Sequence, residues 1–436
     1  MAMAKAAVRR KTAPPKQLNL NVRGLGDSAT IAINDLANAL RAEGKRVIKL
    51  GLGQSPFPVP EPVVEALKAH AHEKDYLPSA GLYELREAIA GYVARKHQVE
   101  RHAEDVLVGP GSKELMFILQ LVFYGELVIP SPSWVSYAPQ ARIVGRTVDW
   151  LPTRRELGWK VHPEELEARF AKDPERPRIL ILNYPNNPTG ATYRVEELKA
   201  IADVARKYRV LLLSDEIYGE LHHTGQHVSI ARFYPEGTIL STGLSKWAGA
   251  GGWRLGTFVF PESLDWLRKA MTAVASETYT STAAPIQYAA ITAFRGGEAI
   301  EDYLHHARRV LRALGRFSAR KLREAGVYVD PPAGAFYLFP DFTPLKDLLL
   351  RKGIYTSELL AKRLLEEVGV AVLPGSDFGR PPEELTLRLA YVDFDGGAAL
   401  QASRGHPSPL GEAFLREYAA PVVEAIEGIV SWLRSI

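Results

Sequence analysis

Six short apolar runs recur along the middle of this chain, at Val106–Gly109, Leu127–Pro130, Ile179–Asn183, Val210–Ser214, Ile239–Ser241 and Gly256–Phe260. They are continuous rather than alternating, so each reads as a strand buried on both faces, which is the signature of a mainly parallel sheet. Amphipathic stretches at 113–124 and 195–208 supply helices between them. Strands alternating with helices predict a large α/β domain.

At 436 residues the chain has room for two or three domains. A proline-free stretch from about 298 to 325 predicts one long helix that ends at Gly326. Beyond it the pattern is more mixed, with strands expected at 327–329, 335–339, 371–373 and 385–391, so a second, α+β domain is expected there. Gln401–Gly411, rich in Pro, Ser and Gly, reads as a surface loop.

The charge balance narrows the function. The 54 basic and 50 acidic residues give +4, but Lys5, Arg9, Arg10, Lys11 and Lys16 all precede the first acid, Asp27. The body is therefore close to neutral, which argues against a broad nucleic-acid-binding face. The basic stretch, with Pro14-Pro15, reads as a flexible tail over residues 1–29. It lacks the serines and amphipathic pattern of a transit peptide, and nothing resembles a signal sequence. No apolar run is long enough to span a membrane, so a cytoplasmic protein is expected. The absence of cysteine excludes disulfides, thiolate metal sites and a thiol nucleophile.

Three segments carry chemistry. Gly243-Leu-Ser-Lys246-Trp-Ala-Gly-Ala-Gly-Gly-Trp-Arg254-Leu-Gly256 follows a strand and sets two cations among glycines that let a ligand approach the backbone. It lacks the arrangement of a phosphate loop, and no dinucleotide fingerprint accompanies it. Asn183-Tyr-Pro-Asn-Asn187-Pro-Thr-Gly190 is a turn at the end of a buried strand, where open α/β sheets place ligands. Leu211-Leu-Leu-Ser-Asp215-Glu216-Ile-Tyr218 ends another buried strand in a carboxylate. Glu216 should point away from Asp215, because neighbours alternate along a strand. His222-His223 and His305-His306 show no metal-ligand spacing and read as surface or packing residues, so no metal is expected.

Taken together, these segments resemble the class I and II aminotransferases, the fold-type-I enzymes that use pyridoxal 5′-phosphate. The resemblance runs from about residue 30 to 430. It implies a seven-stranded, mainly parallel sheet in a large domain over 78–310. A smaller α+β domain would be built from both chain ends: 30–77, with a dimer arm, and 311–436, entered through the long helix.

The resemblance also implies roles. Lys246 would form the Schiff base with the cofactor and then shuttle protons. Asp215 would keep the pyridine nitrogen protonated so that the ring accepts electrons. Tyr218 and Asn187 would hydrogen-bond the ring oxygen. Arg254 would pair with the phosphate, helped by a hydroxyl at Ser245 or Thr242, since the position three before the lysine is Gly243 rather than serine. Ser112 and Lys113 open a helix whose N–H groups suit a phosphate. Trp134, in Ser131-Pro-Ser-Trp134-Val-Ser-Tyr137, would stack on the ring. Tyr76 would reach the phosphate of a neighbouring subunit, which implies a homodimer with shared active sites. Gly53 belongs to the strand that closes over substrate. Arg388, in Leu385-Thr-Leu-Arg388-Leu-Ala-Tyr391, would grip the substrate α-carboxylate with its planar fork.

The expected reaction is transfer of the amino group of an L-amino acid, aspartate or an aromatic or neutral one, to a 2-oxo acid such as 2-oxoglutarate. Lys113 is the candidate reader of an acidic side chain. A lyase or oxidase of the same fold shares these motifs and stays open at this level. A cofactor-sensing transcription regulator does not fit, since about 30 residues ahead of the resemblance cannot hold a DNA-binding module.

Overall fold

Strand β5 (Arg178–Asn183) explains the sheet. In the computed structural model, which describes residues 17–26 and 28–436, all six residues of Arg178–Asn183 are buried. Ile179 and Ile181 pack into one apolar cluster with Leu115, Met116 and Leu119 of the helix Ser112–Val122. Leu180 and Leu182 pack into another with Leu198, Ile201 and Ala205 of the helix Val195–Lys207. An unbroken apolar run is required because successive side chains enter cores on opposite faces.

The strands, in chain order, are β1 (Ile48–Lys49), β2 (Val106–Gly109), β3 (Glu126–Ser131), β4 (Val148–Pro152), β5 and β6 (Leu211–Asp215). They continue with β7 (Thr238–Gly243), β8 (Gly256–Val259), β9 (Tyr337–Leu338), β10 (Val370–Ala371), β11 (Leu373–Pro374) and β12 (Leu387–Ala390). Seven of them form one sheet in the order β2-β8-β7-β6-β5-β3-β4. Its pairs are parallel except those made by β8, which is antiparallel to both neighbours. The expected architecture is therefore present. Strand β4 was not among the apolar runs singled out, because its burial is only partial and its sequence, Val-Asp-Trp-Leu-Pro, is broken by a charge.

Two registers matter for the site. Asn183, Asp215 and Ser241 stand side by side at the carboxyl ends of β5, β6 and β7. Gly109, Gly256 and Gly243 form a second row across β2, β8 and β7. A Cβ at Gly256 would collide with the backbone of Gly111 and Ser112, so the glycine is what lets the helix Ser112–Val122 start directly on the sheet.

Both chain ends meet away from this sheet. β1 pairs in parallel with β10, while β11, β12 and β9 form an antiparallel sheet. The long helix occupies Glu298–Glu324, close to the expected span, and buries an apolar stripe that includes Leu304, Val310, Leu314 and Phe317.

Several expectations change. The strand expected at 327–329 is a single bridge between Tyr328 and Asp341. Residues 401–405 of the expected loop belong to the helix Gly396–Gly405, whose Asp395 cap accepts from the Ala398 N–H. The tail cations Lys5, Arg9, Arg10, Lys11 and Lys16 lie outside the described residues, but the expected tail reaches too far. Leu20–Val22 forms a 3₁₀ turn, and the Asn21 side-chain amide donates to the Ile143 carbonyl. The following helix, Ala29–Ala42, begins at the mouth of the site. Among the described residues, no helix is long and apolar enough to cross a membrane.

Candidate active site

The carboxyl ends of the central strands open onto a cavity of about 430 Å³. Parallel strands place ligands here because helix N-termini and the loops after the strands converge at this edge. Of the residues expected at a site, Lys246, Asp215, Tyr218, Asn187, Arg254, Ser245, Ser112, Lys113, Trp134, Gly53 and Arg388 all line it. Tyr76 does not. It is 90% exposed and is not part of the lining of this chain's own cavity.

Lys246 follows β7, and its ammonium donates a 2.6 Å hydrogen bond to the Gly53 carbonyl. Burial, and then the like charges of Arg388 and Arg254, lower its pKa to about 8. Gly53 lies in an extended loop after β1 rather than in the expected strand, and a Cβ on it would collide with the Tyr337 hydroxyl, so only glycine lets this loop pass so close.

Asp215 is buried at the end of β6 and forms no ion pair among the described residues. Burial raises its pKa to about 6 against the opposing hydrogen bonds from Tyr137, the Ile217 N–H and Ser241. Tyr137 donates at 2.5 Å, and Asn183 braces the Asp215 backbone by donating to its carbonyl at 2.8 Å. Glu216 points to the opposite face, as strand alternation requires, and accepts from Ser214 and Ser229.

Arg254 takes a left-handed backbone, φ 56°, and its guanidinium donates to the Gly251 and Pro110 carbonyls. A Cβ on Gly111 would strike that guanidinium, so the cation sits directly over the first turn of the helix Ser112–Val122. Free N–H groups, the Ser112 hydroxyl and a cation make this corner suited to a phosphate. Lys113 holds its ammonium 5.2 Å from the centre of the Trp134 ring, and burial and then Arg254 lower its pKa.

Arg388 on β12 is 1% exposed and lies over the Tyr337 and Phe378 rings, 4.9 and 5.1 Å from their centres. It donates to Asn187 Oδ1 at 3.2 Å and to the Gly51 carbonyl, while its Nε is buried with no partner. No carboxylate pairs with it among the described residues. A buried guanidinium with a spare donor is costly unless an anion completes it. Tyr218 and Tyr337 share a 2.7 Å hydroxyl contact beside it.

These features fit pyridoxal phosphate. A buried carboxylate without a cationic partner suits a protonated ring nitrogen, a buried amine suits the aldehyde, and the Arg254 corner suits the phosphate. The unpartnered Nε of Arg388 suits a second anion.

Sequence reasoning missed Tyr137, Asn183, Tyr337, Ser28 and Thr30, which also line the cavity. Tyr137 and Asn183 fall inside the segments already quoted, where their signal is their place in a motif, and Tyr337 falls in the strand expected at 335–339. Ser28 and Thr30 carried no signal, because only the return of the N-terminal helix to the cavity gives them a place there.

Comparison with known proteins supplies the wider context. The family model for aminotransferase class I and II matches residues 45–393. The aspartate aminotransferase of Geobacillus stearothermophilus is 35% identical over 386 residues, covering 86% of this chain and 94% of that one. The aspartate/prephenate aminotransferase of Thermus thermophilus is 36% identical over 380 residues, with 86% and 94% covered. Among solved structures, the aspartate aminotransferase from Thermus thermophilus with maleate superposes with a TM-score of 0.81 at 31% identity. The match covers 96% of this chain and all of that one, 100%.

Proposed function

This chain belongs to the class I and II aminotransferases, and from that premise we propose a role for each residue around Lys246. The enzyme is pyridoxal-phosphate-dependent and transfers the amino group of an amino acid to a 2-oxo acid. The observation that carries the residue roles is the convergence of Lys246, from the turn after β7, Asp215, from the end of β6, and Arg388, from β12, on one cavity.

When bound, pyridoxal phosphate supplies an aldehyde that bonds to amines and a protonated ring that draws electrons from the amino acid's Cα. Lys246 would hold the cofactor covalently at rest and move the proton at Cα during turnover; burial and the charges of Arg388 and Arg254 favour its neutral amine, the form that bonds to an aldehyde. Asp215, oriented by Tyr137, holds the proton on the ring nitrogen. Tyr218 and Asn187 hydrogen-bond the ring oxygen, and Trp134 covers one ring face. Arg254, Ser112, Ser245 and the N–H groups of the helix Ser112–Val122 bind the phosphate. Arg388 orients the substrate through its α-carboxylate, with Asn187 fixing the guanidinium plane. Gly53 keeps the covering loop close enough to exclude water.

The substrate assigned is an acidic amino acid such as aspartate, with 2-oxoglutarate as acceptor. Lys113 stands at the wall of the cavity with the hydroxyl residues Ser28 and Thr30 also lining it, and the Thr30 Oγ1 is buried without a partner. A cation and spare hydroxyls suit a second carboxylate. The Thermus structure in the comparison holds maleate, a dicarboxylate, and the two sequence relatives are named for aspartate. A donor panel tests this reading. Lys113→Met is expected to raise KM for aspartate and glutamate by about tenfold, the value of one charge-assisted contact, while leaving phenylalanine nearly unchanged. Equal effects on all donors would remove Lys113 from side-chain recognition.

The exposed Tyr76 is assigned to the cofactor phosphate of a second copy, so the working unit is a homodimer with shared sites. The near-neutral body supports a protein that binds neither nucleic acid nor membrane, in the cytoplasm. The domain boundary is assigned to the long helix Glu298–Glu324, with 30–77 and the C-terminal part forming the smaller unit.

A further inference from the structure

Behind Asp215, on the face of the sheet away from the cavity, three buried side chains from distant segments meet. His97 ends the helix Tyr83–His97, Glu216 follows β6, and His227 lies in the loop before the 3₁₀ turn Ile230–Arg232. One ligand atom from each lies within 4.8 Å of the other two, and among the described residues this is the one such group of metal-binding side chains. Their side chains are 8%, 2% and 6% exposed.

The hydrogen bonds divide the carboxylate. Glu216 Oε1 accepts from Ser214 at 2.6 Å, Ser229 at 2.7 Å and Tyr184 at 3.3 Å. These three hydroxyls occupy that oxygen and fix the plane of the group. Oε2 is left facing two imidazole nitrogens, His227 Nε2 at 2.7 Å and His97 Nδ1 at 3.8 Å. The second distance is too long for a hydrogen bond, and His97 Nδ1 is buried with no partner at all. Leaving such an atom unsatisfied costs about 1–3 kcal/mol.

A divalent ion accounts for what hydrogen bonding leaves over. With bonds of about 2.0–2.2 Å, two ligands on a tetrahedral zinc lie about 3.4 Å apart. The 2.7 and 3.8 Å separations bracket that value, so small rotations of the rings suffice. Two imidazoles and one carboxylate are a zinc-type donor set, and a carboxylate held by hydroxyls on its other oxygen is the outer support such sites use. We propose that His97, Glu216 and His227 bind one zinc-class divalent ion, with a water completing the coordination. The ion would clamp the helix end, the β6 terminus and the 227 loop together. It lies on the opposite face of the strand from Asp215 and touches neither substrate nor cofactor.

Cobalt(II) titration of the chelator-treated holoenzyme tests the site, because tetrahedral cobalt shows visible d–d bands that zinc displaces. The expected result is saturation at one equivalent per chain and reversal by zinc. In His97→Gln the affinity should fall at least tenfold, and in Ser229→Ala by about 10- to 100-fold. Cofactor absorbance and the metal-free Tm of each variant report intact folding, and aminotransferase activity of metal-free His97→Gln should match the parent. No saturable band would overturn the site, and so would a band of equal affinity in His97→Gln, which would place the metal on surface histidines.

Discussion

The Tyr137 hydroxyl donates a 2.5 Å hydrogen bond to Asp215 Oδ2 at the floor of the cavity. The two residues come from different segments 78 positions apart, and both are almost fully buried. Burial alone favours the neutral carboxyl, whereas the role proposed for Asp215 requires its negative charge. Tyr137 works against burial by bonding the charged form.

Tyr137→Phe is therefore expected to weaken cofactor binding. A hydrogen bond to a charged group is worth about 1.5–3 kcal/mol, so the Kd for pyridoxal phosphate should rise about 10- to 100-fold. Equilibrium dialysis of the cofactor measures this directly. An unchanged Kd would mean that Ser241 and the Ile217 N–H hold the charge without the phenol.

Lys246→Ala should remove covalent attachment. After borohydride treatment, peptide mass spectrometry should find the cofactor on the Lys246 peptide of the parent and on no peptide of the variant. Turnover should fall by several orders of magnitude. Attachment elsewhere would sink the assignment.

The lowered pKa of Lys246 makes a pH prediction for the cofactor-free protein. Neutral amine is the reactive form, so its arylation by dinitrofluorobenzene, a reagent that does not itself titrate, should rise with pH and reach half its maximum rate near pH 8. An ordinary lysine would still be climbing at pH 10. In Arg388→Met the midpoint should move upward, because the foremost of the like charges that lower it is gone. Mass spectrometry of the Lys246 peptide follows both.

Arg388→Gln should affect every donor alike. Losing one partner of a buried, hydrogen-bonded charge pair costs at least about 2 kcal/mol, so kcat/KM should drop about 30-fold or more whatever the side chain. The contrast with Lys113→Met, whose effect should follow the side-chain charge, separates recognition of the two carboxylates. A donor-dependent loss in Arg388→Gln would contradict the assignment.

Much of this was legible in the chain because the relevant information is local. Leu180 and Leu182 alternate with Ile179 and Ile181, and an all-apolar run of that kind fits only a strand covered on both faces. The glycines around Lys246 and Arg254 announce a backbone that something must approach closely. Alternation along β6 is enough to send Asp215 and Glu216 to opposite faces. Resemblance to a family then supplied roles that no periodicity could contain.

What the chain order left open was which distant segments meet. Arg388 reaches Asn187 across 201 positions, and nothing local to either residue encodes that contact. His97, Glu216 and His227 are unremarkable in their own segments and become a cluster only where a helix end, a strand end and a loop pack together. Ser28 reads as the end of a tail and Thr30 as the start of the smaller domain, and only the return of the N-terminal helix brings both to the cavity. A residue's pattern of neighbours in sequence determines which of its faces is buried, so strands, helices and the glycine-bordered lysine follow from sequence. The pairing of buried faces is decided by packing over the whole chain, and it is the tertiary structure that turns separate cations, carboxylates and hydroxyls into one site.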